Sequence, residues 1–105
     1  PLIQKALQMV KKEYDQGITL EEMADKLFVS EEYLSSQFKK EIGVGFKEMV
    51  RTLQIERIKE LLTNTKLKLN QIAELAGYSD AKYMSRVFKD EVGVLPSEFR
   101  KSAHC

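Results

Sequence analysis

"GYSDAKYMSRVFK", residues 77–89, and "FVSEEYLSSQFKK", residues 28–40, are two versions of one pattern. Overlaying 30–44 on 80–94 leaves seven of fifteen positions identical: Tyr33/Tyr83, Ser35/Ser85, Phe38/Phe88, Lys39/Lys89, Glu41/Glu91, Gly43/Gly93 and Val44/Val94. Upstream, "MADKL" (23–27) overlays "IAELA" (72–76) at a shift of 49 instead of 50, so the second copy has one more residue in its turn. An internal repeat of this period marks a duplicated supersecondary unit. Apolar spacings of three and four make that unit helix, tight turn, helix.

In the second copy, Ala73 lets the two helices cross closely. Gly77, four residues on, takes the positive φ of a tight turn at little steric cost. Ile72, Ala76, Met84 and Phe88 close the small core. The first copy has Ala24 in the matching place but Phe28 where glycine is expected. Its turn is therefore predicted to be shorter and to have a different backbone.

Around the repeat the pattern is helical throughout. Ile3, Leu7, Val10 and Tyr14 predict an amphipathic helix over 2–16, ended by Gly17. Thr19 and Glu22 form a capping-box pair before Leu20, Met23, Ala24 and Leu27. Ser30 and Asp80 cap the second helix of each copy. A long helix spans 46–63, with Phe46, Met49, Val50, Leu53, Ile58, Leu61 and Leu62 along one side, until "TNTKLK" breaks it. Pro96 starts a last short helix, 96–101, holding Phe99. The expected fold is all-α with about seven helices: a first helix-turn-helix at 18–44, a linker helix at 46–63, a second helix-turn-helix at 69–93 and the terminal helix.

With 105 residues, 43% hydrophobic and 31% charged, the chain is large enough for a modest core without metal or disulfide. Net charge is only +1. Residues 1–52 carry 8 basic and 9 acidic side chains, residues 53–105 carry 9 and 7. A polyanionic partner must be held by local placement of charge, more so in the second half. No apolar run reaches the roughly 18 residues of a membrane span, and no signal peptide opens the chain. With one cysteine, no intramolecular disulfide is possible, which fits a reducing, cytoplasmic setting. Pro1 in place of an initiator Met suggests a segment of a longer protein. The sole His104 and sole Cys105 are expected in a disordered tail end. No phosphate loop or metal-ligand spacing appears. The expectation is no enzyme, no cofactor and no metal.

Helix geometry separates the two copies. With Leu34, Phe38 and Ile42 inward, the opposite face holds Glu32, Tyr33, Ser36, Lys39 and Lys40. The same construction on the second copy turns out Lys82, Tyr83, Arg86, Lys89 and Asp90. A recognition helix offers such a face to the major groove. Arg86 suits a bidentate pair to guanine, whereas Glu32 accepts only from a donor such as the cytosine amino group and repels phosphate. Ser35, Ser36 and Ser85 can bond to bases or phosphates with little selectivity. Tyr33 and Tyr83 suit helix packing and phosphate contact equally. The second helix is expected to bind harder, the first to be fussier or weaker. A linker of about 18 residues makes a rod of roughly 27 Å, near the about 34 Å between successive major-groove faces. The alternative function is a helical protein-interaction module without DNA readout.

The chain resembles the C-terminal DNA-binding domain of the AraC/XylS family of bacterial transcription regulators, from about Ile18 to Arg100. The most specific stretch is "IAELAGYSDAKYMSRVFKDEVGVLPSEFR", with Ile72-Ala73, Gly77-Tyr78, Asp80, Tyr83, Ser85-Arg86, Phe88-Lys89, Gly93, Pro96 and Phe99-Arg100 where the family places such residues. The helix at 2–16 and "YLSSQFKKEIG" are similar to members fused behind a phosphoacceptor receiver domain. The resemblance implies sequence-specific binding of double-stranded DNA by two recognition helices in adjacent major-groove segments. Base-facing residues would be Glu32, Ser35 and Ser36, then Lys82, Ser85 and Arg86. Phosphate contacts would fall at Ser30, Lys39, Phe46-Lys47, Lys89 and Ser97. It also implies RNA polymerase as a partner of the parent protein, and an N-terminal signal-receiving domain. The chain departs from the family at Gln54, often Arg, at Ile58, often Ala, at Met84, often aromatic, and in the acidic pair Glu31-Glu32.

Overall fold

The structure is a computed structural model, which describes residues 1–104. Its elements are α1 (Leu2–Glu13), a 3₁₀ turn (Tyr14–Gln16), α2 (Leu20–Leu27), α3 (Glu31–Ile42), α4 (Phe46–Asn64), α5 (Leu69–Ala76), α6 (Ala81–Val92) and α7 (Pro96–Ala103). Among the described residues there is no strand. The last turn before Gly17 tightens to 3₁₀, so the first α-helix stops at Glu13. The terminal helix runs two residues beyond the expected Lys101.

The chain divides into two compact units, one ending at Leu53 and the other beginning at Gln54. In the first unit α1, α2 and α3 enclose Ile3, Ala6, Val10, Met23, Ala24, Leu34 and Phe38. In the second unit Ile72, Ala73, Ala76, Met84, Val87 and Phe88 form the matching core. Phe38 and Phe88 are both fully buried, each with an edge-on partner ring: Phe46 at 6.4 Å and Phe99 at 5.6 Å. Burying a phenyl side chain stabilises by about 1.5–3 kcal/mol before packing is counted. These two residues fix how each recognition helix is seated.

The apolar residues of α4 do not form the single stripe that the sequence suggested. Phe46, Met49, Val50 and Leu53 pack against the first core, while Ile55, Ile58, Leu61 and Leu62 belong to the second. Each half of the helix completes a different core. Ile55, absent from the expected stripe, is buried for that reason.

The C-terminal end of α4 has no glycine cap. Its orphan carbonyls are taken up by side chains instead. Thr65 Oγ1 donates to Leu61 O at 2.6 Å. Arg100, on α7, donates from Nε to Leu62 O (3.2 Å), from Nη1 to Leu67 O (2.8 Å) and from Nη2 to Thr65 O (3.2 Å). A guanidinium at a helix C-terminus also meets the negative end of the helix dipole. His104 is not in a loose tail: it terminates α7, and its Nε2 lies 3.4 Å from Leu62 O. Cys105 lies outside the described residues.

Candidate nucleic-acid interface

The two turns preceding the recognition helices have nearly the same backbone. In the second, Gly77 sits at φ 90°, ψ 21°, its N–H donating to Glu74 O (3.2 Å) and the Tyr78 N–H to Ala73 O (2.8 Å). In the first, Phe28 sits at φ 60°, ψ 42°, its N–H donating to Asp25 O (3.3 Å) and the Val29 N–H to Ala24 O (3.0 Å). The expectation of a different backbone at Phe28 is thus overturned. The left-handed conformation costs a bulky residue on the order of 1–3 kcal/mol, and the phenyl recovers nothing inside the fold, being 93% exposed. The conformation persists because α2 and α3 bring Ala24, Leu34 and Phe38 into one core, whose packing outweighs the local cost. The first turn is shorter, as expected: Ser30 caps α3 two residues after Phe28, whereas Asp80 caps α6 three residues after Gly77.

After the turns the copies fall into register at both ends. Ser30 Oγ accepts the Tyr33 N–H at 3.1 Å, and Asp80 Oδ1 accepts the Tyr83 N–H at 2.7 Å. The shorter bond fits a carboxylate cap in place of a hydroxyl one. At the other end the Gly43 N–H donates to Lys39 O, as the Gly93 N–H does to Lys89 O. Both helices are 12 residues long. Position for position, Glu32 answers to Lys82, Ser35 to Ser85, Ser36 to Arg86, and Lys39 to Lys89.

Side-chain exposure follows this register. Glu32, Ser35, Ser36 and Lys39 are exposed on α3, as are Lys82, Arg86 and Lys89 on α6, while Ser85 is half-buried. Ser30, Lys47 and Ser97 are exposed near the N-termini of α3, α4 and α7. The Ser30 oxygen is engaged as a cap, leaving its hydroxyl proton as the group it can offer. Among the described residues Glu32, Lys82 and Arg86 have no ion-pair or hydrogen-bonding partner. Tyr83, 47% exposed, rests its ring 5.8 Å from that of Tyr78, whereas Tyr33 is 52% exposed.

Each unit carries an open concavity beside these residues. In the second, Lys82, Arg86 and Tyr83 line it with Ser79 and the capping Asp80. In the first, Ser35 and Lys47 border a largely apolar groove walled by Ile18, Leu20, Phe46 and Val50. Ser79, and Ile18 and Leu20 of the groove's wall, escaped the reading of the sequence as site residues. Their signal was adjacency to the capping residues, since whatever flanks a cap lies at the mouth of the helix N-terminus. Among the described residues no group of three or more His, Cys, Asp or Glu is placed to hold a metal ion, and no helix is long and apolar enough to cross a membrane.

Comparison with known proteins places the chain in a family. The profile of a family described as "Helix-turn-helix domain" matches residues 23–102. The C-terminal domain of AraT, a response regulator from Geobacillus stearothermophilus, superposes with a TM-score of 0.92 at 36% identity, over 97% of this chain and 85% of that one. The C-terminal domain of the two-component response regulator yesN from Fusobacterium nucleatum gives a TM-score of 0.84 at 33% identity, over 92% and 96%. The HTH-type transcriptional regulator YijO of Escherichia coli K12 is 32% identical over 95 residues, which are 90% of this chain and 34% of YijO. The chain thus spans about a third of that relative's length. On its duplicated hooks and on these likenesses, the chain belongs to the AraC/XylS family of helix-turn-helix transcription regulators.

Proposed function

We propose that this domain binds double-stranded DNA in a sequence-specific manner, with α3 and α6 reading adjacent major-groove segments of a bacterial promoter. One observation carries the reading: α6 is capped at both ends, seated by buried Met84 and Phe88, and turns Lys82 and Arg86 outward, neither of them in an ion pair among the described residues. Cations left exposed and unpaired on a seated helix suit base edges and phosphates. In this reading Glu32, Ser35, Ser36, Lys82, Ser85 and Arg86 face bases. Ser30, Lys39, Lys47, Lys89 and Ser97 contact phosphates, helped by the positive ends of α3, α4 and α7. The length of YijO and the response-regulator neighbours support a parent chain that receives its signal in a separate domain; with it we propose a cytoplasmic setting and RNA polymerase as a partner.

Titrating a fluorescent duplex at several salt concentrations tests the proposal. The logarithm of the affinity should fall with the logarithm of salt at about −0.9 per phosphate neutralised. Selection from random duplexes should return a defined sequence that Arg86→Ala relaxes at one position. A salt-independent interaction, or equal binding to all duplexes, would refute it. A protein-binding use of the first unit has one observation in its favour, the bare Phe28 ring amid exposed acids. That use predicts binding which salt barely alters.

A further inference from the structure

We infer that Glu32 is a base-reading residue that selects cytosine, and that the two recognition helices therefore read base pairs of opposite hydrogen-bonding polarity. The inference rests on the DNA-binding reading above. The caps place Glu32 in α3 and Lys82 in α6 at the same step, the second residue of each helix. The inward residues match as well, Leu34 with Met84 and Phe38 with Phe88, all buried. A side chain at this step is therefore presented alike in both units, and only its chemistry differs.

That chemistry is inverted. A carboxylate only accepts hydrogen bonds, and an ammonium only donates them. On the major-groove edges the amino donors are cytosine N4 and adenine N6. Adenine N6 has the N7 acceptor beside it, which repels a carboxylate. Cytosine N4 has no neighbouring acceptor on its own base. Guanine instead offers two adjacent acceptors, O6 and N7, which suit Lys82. Glu32 is unpaired among the described residues, and Ser36, one turn on, brings no cation to it. In α6 the same interval joins Lys82 to Arg86.

A first-turn acid also favours the helix dipole, and this is the ordinary reason for a glutamate there. The duplicate argues against it as a sufficient reason. α6 meets its dipole with the single carboxylate of its cap, Asp80, and its first turn holds no acid. In α3, Glu31 already supplies a first-turn charge.

The test is selection from a random duplex pool by the 105-residue chain and by its Glu32→Gln, Glu32→Lys and Lys82→Glu variants, each checked for an unchanged circular dichroism melt. One cytosine in the selected site should become adenine with Glu32→Gln, because an amide pairs with adenine N6 and N7, and guanine with Glu32→Lys. Lys82→Glu should turn a guanine into cytosine at a different position. Each change of preference should be roughly five- to a hundred-fold. If Glu32→Gln and Glu32→Lys keep the parent's preferences and only tighten binding to all duplexes alike, Glu32 merely repels phosphate and the inference is overturned. Should the parent select a sequence that Arg86→Ala alters while both Glu32 variants do not, this inference alone fails. Should the parent select none, the DNA-binding reading fails first.

Discussion

The first hook of this protein makes its turn with Phe28, the second with Gly77, and both residues are left-handed with matching backbone hydrogen bonds, although the first turn is one residue shorter. One residue meets the left-handed conformation at a steric cost and the other without one. The fold accepts the cost because the crossing of two helices around a buried alanine is worth more than the comfort of one residue. The recognition helices repeat the lesson from the opposite side. Their buried positions are nearly interchangeable, and their exposed positions have diverged from Glu32 and Ser36 to Lys82 and Arg86. Duplication preserved the geometry that seats a helix and much of its outer face, Tyr33/Tyr83 and Lys39/Lys89 included, and changed that face at Glu32/Lys82 and Ser36/Arg86.

Replacing the seated aromatics should break the likeness most severely. Phe38→Ala and Phe88→Ala each empty a fully buried site and should cost about 3–5 kcal/mol. Hydrogen exchange should show protection lost first in the unit that carries the change. If each variant instead melted both units together, the partition at Leu53 would be a feature of shape and not of stability.

The next effect separates the units. Arg100 ties α7 to the end of α4 through three carbonyls, and the position aligned with it in the first unit is Val50. Arg100→Ala should destabilise by about 2–3 kcal/mol, since bonds to a charged donor are lost and their acceptors left unpaired. Arg100→Lys should recover only part of this, an ammonium being unable to span the same fork. Denaturant unfolding of the three proteins decides it.

The turn supplies a smaller, paired test. Phe28→Gly should stabilise by on the order of 1 kcal/mol, because strain is relieved and little burial is lost. Gly77→Phe should destabilise by a similar or larger amount. A drop in stability for Phe28→Gly would mean that the exposed ring has a partner in the folded chain.

The smallest expected effects concern the shared lysines. Lys39→Ala and Lys89→Ala should leave the melting temperature nearly unchanged. Each should weaken binding to all duplexes alike and lower the salt slope by about one phosphate. If Lys39→Ala has no such effect while Lys89→Ala does, the first helix sits farther from the backbone than the second.

Much of the molecule was legible from residue order. The repeat, Thr19, Ser30 and Asp80 as caps, Gly17 as a stop and Pro96 as a start are local signals, and local physics decides them. Three features were not legible in this way. The single stripe assigned to α4 failed because its two halves serve different cores. The backbone of Phe28 was misjudged because intrinsic preference was weighed without the packing that overrides it. Arg100 was recognised as a matching residue with no task, although a helix ending in "TN" without a glycine was a clue that its carbonyls needed an outside donor.

By itself, then, the sequence determined where helices begin and end, which residues lie inward, and which charges the two recognition faces carry, since these depend on neighbours within a turn or two of the chain. Tertiary structure alone decided that Phe28 adopts a glycine's conformation, that Arg100 closes a helix 38 residues away, and that the two halves of α4 serve different cores. Those outcomes come from balancing a local cost against contacts between segments distant in the chain, and no local pattern contains both sides of that balance.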